Sequence, residues 1–311
     1  MICRKNLLSV LLSIPVLFAT ALFLAFPARY AKSVFDGISL WALNVLPSLF
    51  PFLFLTGMLS ELRLFPLLAQ KTAPVMRKLF KIRGNGGCTL LLSALSGYPV
   101  GARLVFTLNE GADIDERFRL SCLCSTASPA FLVGVVGAGM LNSVKSGWML
   151  LFSHFLSVYT VGFFLGLFAK KQPPYRHTVP PTTSPRLFAK MLEQSVSTVL
   201  YVGGYVALFT VFGQMLADCG LFSFASSPLV EGFLRGLLEM TGGCAILSAS
   251  RSPLVLPLVC FLSTFGGACI LMQQLSFLKK AGISAPKFLL VKLLQATLSG
   301  VLCYVSVLLF P

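Results

Sequence analysis

The 311 residues are 56% hydrophobic and only 11% charged, with a mean hydropathy of +0.85. A water-soluble domain carries about 25% charged residues, so this chain lacks the polar surface to cover itself in water. Its formal charge of +15 would suit a nucleic-acid binder, but no recognition-helix, RNA-binding-sheet or basic–aromatic motif accompanies it.

The basic residues fall between apolar runs, where the cytoplasmic loops of membrane proteins collect Lys and Arg. The length is therefore better counted in membrane spans of about 20 apolar residues each. The nine cysteines show no zinc-type spacing, and Cys122-x-Cys124 is too short for a thioredoxin-like pair. Most sit in apolar runs and are expected to be free thiols. Neither His-Glu-x-x-His, a phosphate loop nor a G-x-S-x-G elbow is present. With only 10 acidic residues, the expectation is no enzyme, no cofactor and no metal.

In chain order, Arg4 and Lys5 precede an apolar run over 7–26. That run exceeds a typical signal-peptide core of about 7–15 residues. Phe23 and Phe26 spoil the nearby cleavage sites, so 1–34 is read as an uncleaved first helix with its basic end in the cytoplasm. Further clear spans fall at 38–60, 120–141, 148–168, 191–217 and 288–310. The runs 86–108 and 252–277 are apolar but interrupted, by Ser96-Gly97-Tyr98-Pro99-Val100-Gly101 and by Ser263-Thr264-Phe265-Gly266-Gly267. Proline removes an amide donor and glycine permits unusual dihedrals, so both runs should break. Broken backbone at membrane depth persists only where it is buried in protein or lines a cavity.

The polar, Pro-rich segment 170–190 reads as an extended cytoplasmic linker. It divides the chain into repeats at 35–169 and 191–311. Met58–Phe65 matches Met215–Phe222, Arg77–Gly84 parallels Arg235–Gly242, and Leu92–Gly97 parallels Leu262–Gly267, in the same order. If 86–108 enters and leaves on the cytoplasmic side, fifteen of the 25 basic residues lie inside. Span 38–60 then runs outward to inward and 191–217 the opposite way, so the repeats are inverted. The expected architecture is an all-α polytopic membrane protein, an inverted repeat of transmembrane helices with two broken, re-entrant hairpins. Paired broken segments of this kind mark secondary transporters. One feature opposes it: with 252–277 dipping in from outside, Lys279 and Lys280 face outward, whereas a full crossing returns them to the cytoplasm.

Substrate-binding candidates follow from the breaks. Ser96, Gly97, Tyr98 and Pro99 form the first tip, where backbone polar groups and half-helix dipoles converge. Ser125, Thr126 and Ser128, just before Pro129, suggest an unwound helix with inward hydroxyls, although such residues often bond their own backbone. Thr264, Gly266 and Gly267 form the second tip, followed by the intramembrane Gln273 and Gln274. Packing is the favoured role for Asn44, Ser48 and His154, and solvation at the membrane edge for Glu193-Gln194-Ser195. Glu239 fits a cavity wall or an exposed interfacial helix equally.

Leu46-Pro47-Ser48-Leu49-Phe50-Pro51-Phe52, Ser96-Gly97-Tyr98-Pro99-Val100-Gly101-Ala102, Ser125-Thr126-Ala127-Ser128-Pro129 and Phe265-Gly266-Gly267 resemble the YlbJ-type sporulation integral membrane proteins. These are similar to the wider nucleoside-recognition, or Gate, group, which includes nucleoside transporters. The resemblance implies a multi-pass protein of a bacterial cytoplasmic membrane, with a role in spore formation and solute-holding hairpin tips. The acids and amides that hold nucleosides in that group have no clear counterpart in these tips. The resulting expectation is a small-solute carrier, its coupling ion (sodium or proton) unassigned. Its partners would be the bilayer and the solute, and a homo-oligomer is compatible with the sequence. The alternative is a non-transporting scaffold for spore-envelope assembly.

Overall fold

The computed structural model describes residues 2–62, 64–108, 112–169, 186–225 and 227–309. Most of the segment read as a linker, 170–185, lies outside them. Among the described residues the regular structure is entirely helical.

Helix α1 (Ile2–Ala25) ends before Pro27, which opens α2 (Pro27–Leu40). A π-helical turn over Trp41–Val45 joins α2 to α3 (Leu46–Glu61). Pro47 and Pro51 lack amide donors, and the widened turn precedes them. Asn44 and Ser48 bond backbone carbonyls one turn back. The stretch Pro27–Glu61 is thus one long apolar span that starts well before residue 38. The basic-ended α4 (Leu64–Leu79) follows.

The run 86–108 breaks where the motif demands, into α5 (Gly86–Ser96) and α6 (Val100–Leu108). These two helices pack on each other. The run read as one span at 120–141 is also broken. It comprises α7 (Ile114–Cys124), non-helical backbone over 125–128, and a π-helical segment over Ala130–Met140. Helix α8 (Val144–Leu167) packs along it.

The second half opens with α9 (Leu187–Asp218). It lies antiparallel to Pro27–Glu61 along its whole length. Asp218 takes Arg29 and the buried Tyr30 at one end, and Lys190 meets Glu61 at 3.1 Å at the other. Gln194 is held by a side chain of the first half, accepting from Arg103 at 2.7 Å, rather than being solvated at a membrane edge.

The second helix hairpin differs from expectation. It is formed by α10 (Pro228–Leu238) and α11 (Met240–Ser248), joined through the single extended residue Glu239. Gly243 lies so close to the Gly236 backbone that any Cβ would collide with it. Such small-residue contacts let membrane helices approach where no water drives them together. The run 252–277 does break at Gly266 and Gly267, both at positive φ, giving α12 (Val255–Phe265) and α13 (Gly267–Leu278). The two do not fold back on each other. Helix α12 packs on α8 and on α14 (Ala285–Leu309), whereas α13 packs on α6, α9 and α10. The last matched block therefore equates a hairpin tip at Gly97 with a broken span at Gly266.

Among the described residues, five stretches are long and apolar enough to cross a membrane: Pro27–Glu61, Val144–Leu167, Leu187–Asp218, Val255–Leu278 and Ala285–Leu309. Large apolar side chains such as Leu43, Phe152, Phe164 and Leu200 stay exposed on them. Exposure on that scale fits contact with lipid rather than water.

Candidate solute-binding site

The two hairpin junctions meet. Ser96, Gly97 and Tyr98 from the α5–α6 junction and Glu239, Met240 and Thr241 from the α10–α11 junction line one cavity. Ala127 and Ser128 of the first broken span, Ile270 and Gln273 of α13, Ser48 of α3, and Val202 and Val206 of α9 complete it. The centre of a water molecule can reach about 40 Å³ of it. A single water needs roughly 10–15 Å³ on this measure, so the cavity as it stands holds a few waters.

Local geometry explains the convergence. Gly97 has φ +74°, and a Cβ there would lie 2.8 Å from the Ser128 nitrogen. Only glycine lets the first tip press against the first break. Gly267 plays the matching part in the second half, where a Cβ would meet the Gly236 carbonyl at 2.7 Å. Tyr98 ties the elements together. Its N–H donates to the Thr126 carbonyl at 2.8 Å, and its hydroxyl donates to the Ser263 carbonyl at 2.8 Å and touches the Met240 sulfur at 3.0 Å.

The polar groups around the cavity are set by helix ends. The Ser128 hydroxyl accepts the Phe131 N–H at 3.2 Å, capping the π-helical segment. Glu239 is buried, and its carboxylate accepts the Thr241 and Gly242 N–H groups at 3.0 and 2.6 Å. A negative charge at the start of α11 is favourable there. Each carboxylate oxygen keeps a further lone pair for a second donor. The Ser96 hydroxyl lies 2.9 Å from the Thr56 hydroxyl and from the Leu92 carbonyl. The Gln273 amide is buried, and its oxygen has no partner among the described residues. The cavity lining thus includes a carboxylate, an amide and five hydroxyl-bearing residues, Ser48, Ser96, Tyr98, Ser128 and Thr241, beside the apolar Val202, Val206 and Ile270.

Among the residues read as binding candidates, Ser96, Gly97, Tyr98, Ser128 and Gln273 come together here. Pro99, Ser125, Thr126, Thr264, Gly266 and Gly267 do not line the cavity. Ser125 and Thr126 keep buried hydroxyls with no partner among the described residues. The Thr264 hydroxyl donates to the Cys260 carbonyl at 2.8 Å and meets His154 Nδ1 at 2.8 Å. His154 Nε2 accepts the Ala127 N–H at 3.1 Å, so the Nδ1 atom carries the proton and donates. His154 is therefore a buried hydrogen-bonding strut, as its packing role implied. Sequence reasoning missed Glu239, Met240 and Thr241 as site residues. The signal was a lone carboxylate followed by Thr241-Gly242-Gly243 inside an apolar stretch, and the structure resolves its two readings in favour of the cavity.

Residues 42–144 match the family described as Gate, nucleoside recognition. That segment contains Ser48, the α5–α6 junction and the first broken span, but not Glu239 or Gln273. The chain is also 27% identical over 323 residues to the sporulation integral membrane protein YlbJ of Bacillus subtilis (strain 168), covering 92% of this chain and 79% of that protein. No solved structure matches the chain. The chain is thus a multi-pass integral membrane protein whose residues 42–144 match the nucleoside-recognition Gate family and which is similar along most of its length to a sporulation membrane protein.

Proposed function

We propose that this protein binds a small neutral polyhydroxylated solute, a nucleoside or a sugar, and moves it across the bacterial cytoplasmic membrane in service of spore formation. It acts by binding and conformational change rather than by chemical catalysis. The observation that carries this reading is the convergence of two helix-hairpin junctions, one from each half, on a cavity furnished with Glu239 and Gln273. A carboxylate and an amide carbonyl accept hydroxyl protons, the amide N–H₂ and the hydroxyls return donors, and the apolar wall suits a ring face.

The element order supports an inverted repeat. In the first half α3, the α5–α6 hairpin, the broken span of α7 and residues 130–140, and α8 follow one another. In the second half α9, the α10–α11 hairpin, the broken span α12–α13, and α14 do the same. With the N-terminus inside, the first hairpin enters from the cytoplasm and the second from outside. The span α12–α13 then crosses completely, which returns Lys279 and Lys280 to the cytoplasm and leaves the C-terminus outside. The inversion and the positive-inside rule no longer conflict, because the second hairpin lies at 228–248 instead of 252–277. Hairpins and broken helices meeting near the midplane suit alternating access. The small present volume corresponds to a closed cavity that must widen to admit a solute.

The test is thermal stability of the purified protein in detergent against uridine, adenosine, glucose and N-acetylglucosamine. At least one solute should raise the wild-type midpoint, and Glu239→Gln and Gln273→Ala should lose that rise. If none shifts the midpoint, or if both variants keep the shift, the cavity is not the binding site. A scaffold reading draws on the cavity's small size. It requires that Glu239→Gln, which removes the cavity's carboxylate, leave sporulation intact in a strain dependent on this protein, whereas a carrier loses it.

A further inference from the structure

The C-terminal end of α7 carries a second polar cluster, behind the cavity and separate from it. Helix α7 ends at Cys124, so its last carbonyls have no helical partners and form the negative end of a half-helix dipole. Two side chains one turn apart on α14 take them. Lys292 Nζ donates to the Ser125 carbonyl at 2.8 Å, and Gln295 Nε2 donates to the Cys122 carbonyl at 3.0 Å. Both side chains are fully buried. Among the described residues no carboxylate lies within ion-pairing distance of Lys292, although a buried ammonium normally requires one. The remaining polar side-chain atoms of these two contacts, Ser125 Oγ and Gln295 Oε1, are buried and have no partners among the described residues. The other titratable groups at the cluster are His154, whose nitrogens are committed to Ala127 and Thr264, and the Cys122 thiol.

Carbonyls of unwound backbone at a half-helix C-terminus, flanked by free hydroxyl and amide oxygens, are the donor set by which broken membrane helices hold a monovalent cation. Here the cation is covalently attached. We propose that Lys292 is a tethered cation: its ammonium occupies a monovalent-cation site at the end of α7, holds the first break in place, and makes the protein independent of sodium at this position. Without its ammonium, the site becomes a vacant cage of oxygen donors that accepts a small free cation. The proposal stands on the α7–α14 geometry and does not depend on which solute the cavity takes.

Chemical rescue tests it. Thermal midpoints of the purified protein are measured at constant ionic strength in choline, sodium and n-propylammonium chloride. The wild type should show the same midpoint in all three. Lys292→Ala, which removes the equivalent of propylammonium, should fall by several degrees in choline and regain at least half of the loss in propylammonium or sodium. Lys292→Met, which fills the space without charge, should fall and regain nothing. A wild type stabilised by sodium over choline, a Lys292→Met protein as stable as wild type, or a Lys292→Ala protein that neither cation restores would each overturn the proposal. If Lys292→Ala is lost on extraction in every salt, rescue has failed and the proposal fails with it. If it survives only when propylammonium is present, the proposal is upheld. Because the readout is cation-specific stability without added solute, its failure is distinguishable from failure of the cavity reading.

Discussion

His154 Nε2 accepts the Ala127 N–H at 3.1 Å, deep inside the protein. That bond clamps the first broken span to α8, and the opposite ring nitrogen extends the clamp to Thr264 on α12. Replacing His154 with Phe keeps the ring but orphans the buried Ala127 amide and takes a donor from the Thr264 hydroxyl, which keeps its bond to the Cys260 carbonyl. The expected cost is about 1–3 kcal/mol for an unsatisfied buried group, read as a lower unfolding midpoint in detergent. An unchanged midpoint would mean that other groups hold the break.

Gly243 should tolerate no side chain. An alanine there would push apart the α10 and α11 backbones at Gly236, and overpacking of this kind costs about 1–3 kcal/mol. Gly204 on α9 faces open space, so Gly204→Ala should leave the midpoint within experimental error. The pair of variants, measured side by side, separates backbone crowding from a general intolerance of glycine substitution.

Ion pairs should differ by burial. Glu116 takes the Arg83 side chain at 3.0 and 2.7 Å and also accepts its backbone N–H. Both side chains are largely buried. Glu116→Ala should cost about 3–5 kcal/mol, because it strands a desolvated charge. Lys190 in the Lys190–Glu61 pair is half exposed, and Lys190→Ala should cost no more than about 1 kcal/mol. Urea or thermal unfolding of the two variants gives the comparison.

The proposed topology places residue 280 in the cytoplasm and residue 251 outside. In a cysteine-free background, Lys280→Cys should react with a membrane-impermeant maleimide only after the inner face is exposed, and Arg251→Cys from outside in intact cells. Labelling of position 280 in intact cells would restore the topology in which 252–277 dips in and returns.

Much of the fold was legible because lipid imposes strict rules. Spans need long apolar runs, and Gly97-Tyr98-Pro99 and Gly266-Gly267 cannot continue a helix, so both breaks fall where their residues say. The pairing of those breaks was not legible. Gly97 closes a hairpin and Gly266 interrupts a span, yet both present Leu-Ser…Gly to an eye searching for repeats. The second hairpin escaped because its turn is the single residue Glu239 and its close packing rests on Gly232, Gly236 and Gly243, which carry little apolar pattern. Tyr98, Ser128 and Gln273 were found because a polar group beside broken membrane backbone needs a partner. Ser125 and Thr264 met the same criterion but do not line the cavity, since the direction a side chain faces depends on local backbone geometry set by distant contacts.

The most direct test of the central claim is equilibrium binding, by titration calorimetry, of whichever solute gives the largest thermal shift, to wild-type protein and to Glu239→Gln. Loss of one charge-assisted hydrogen bond, about 1.5–3 kcal/mol, predicts roughly 10- to 100-fold weaker binding by the variant. Affinity unchanged in Glu239→Gln would contradict a binding site where the Ser96–Tyr98 and Glu239–Thr241 junctions meet.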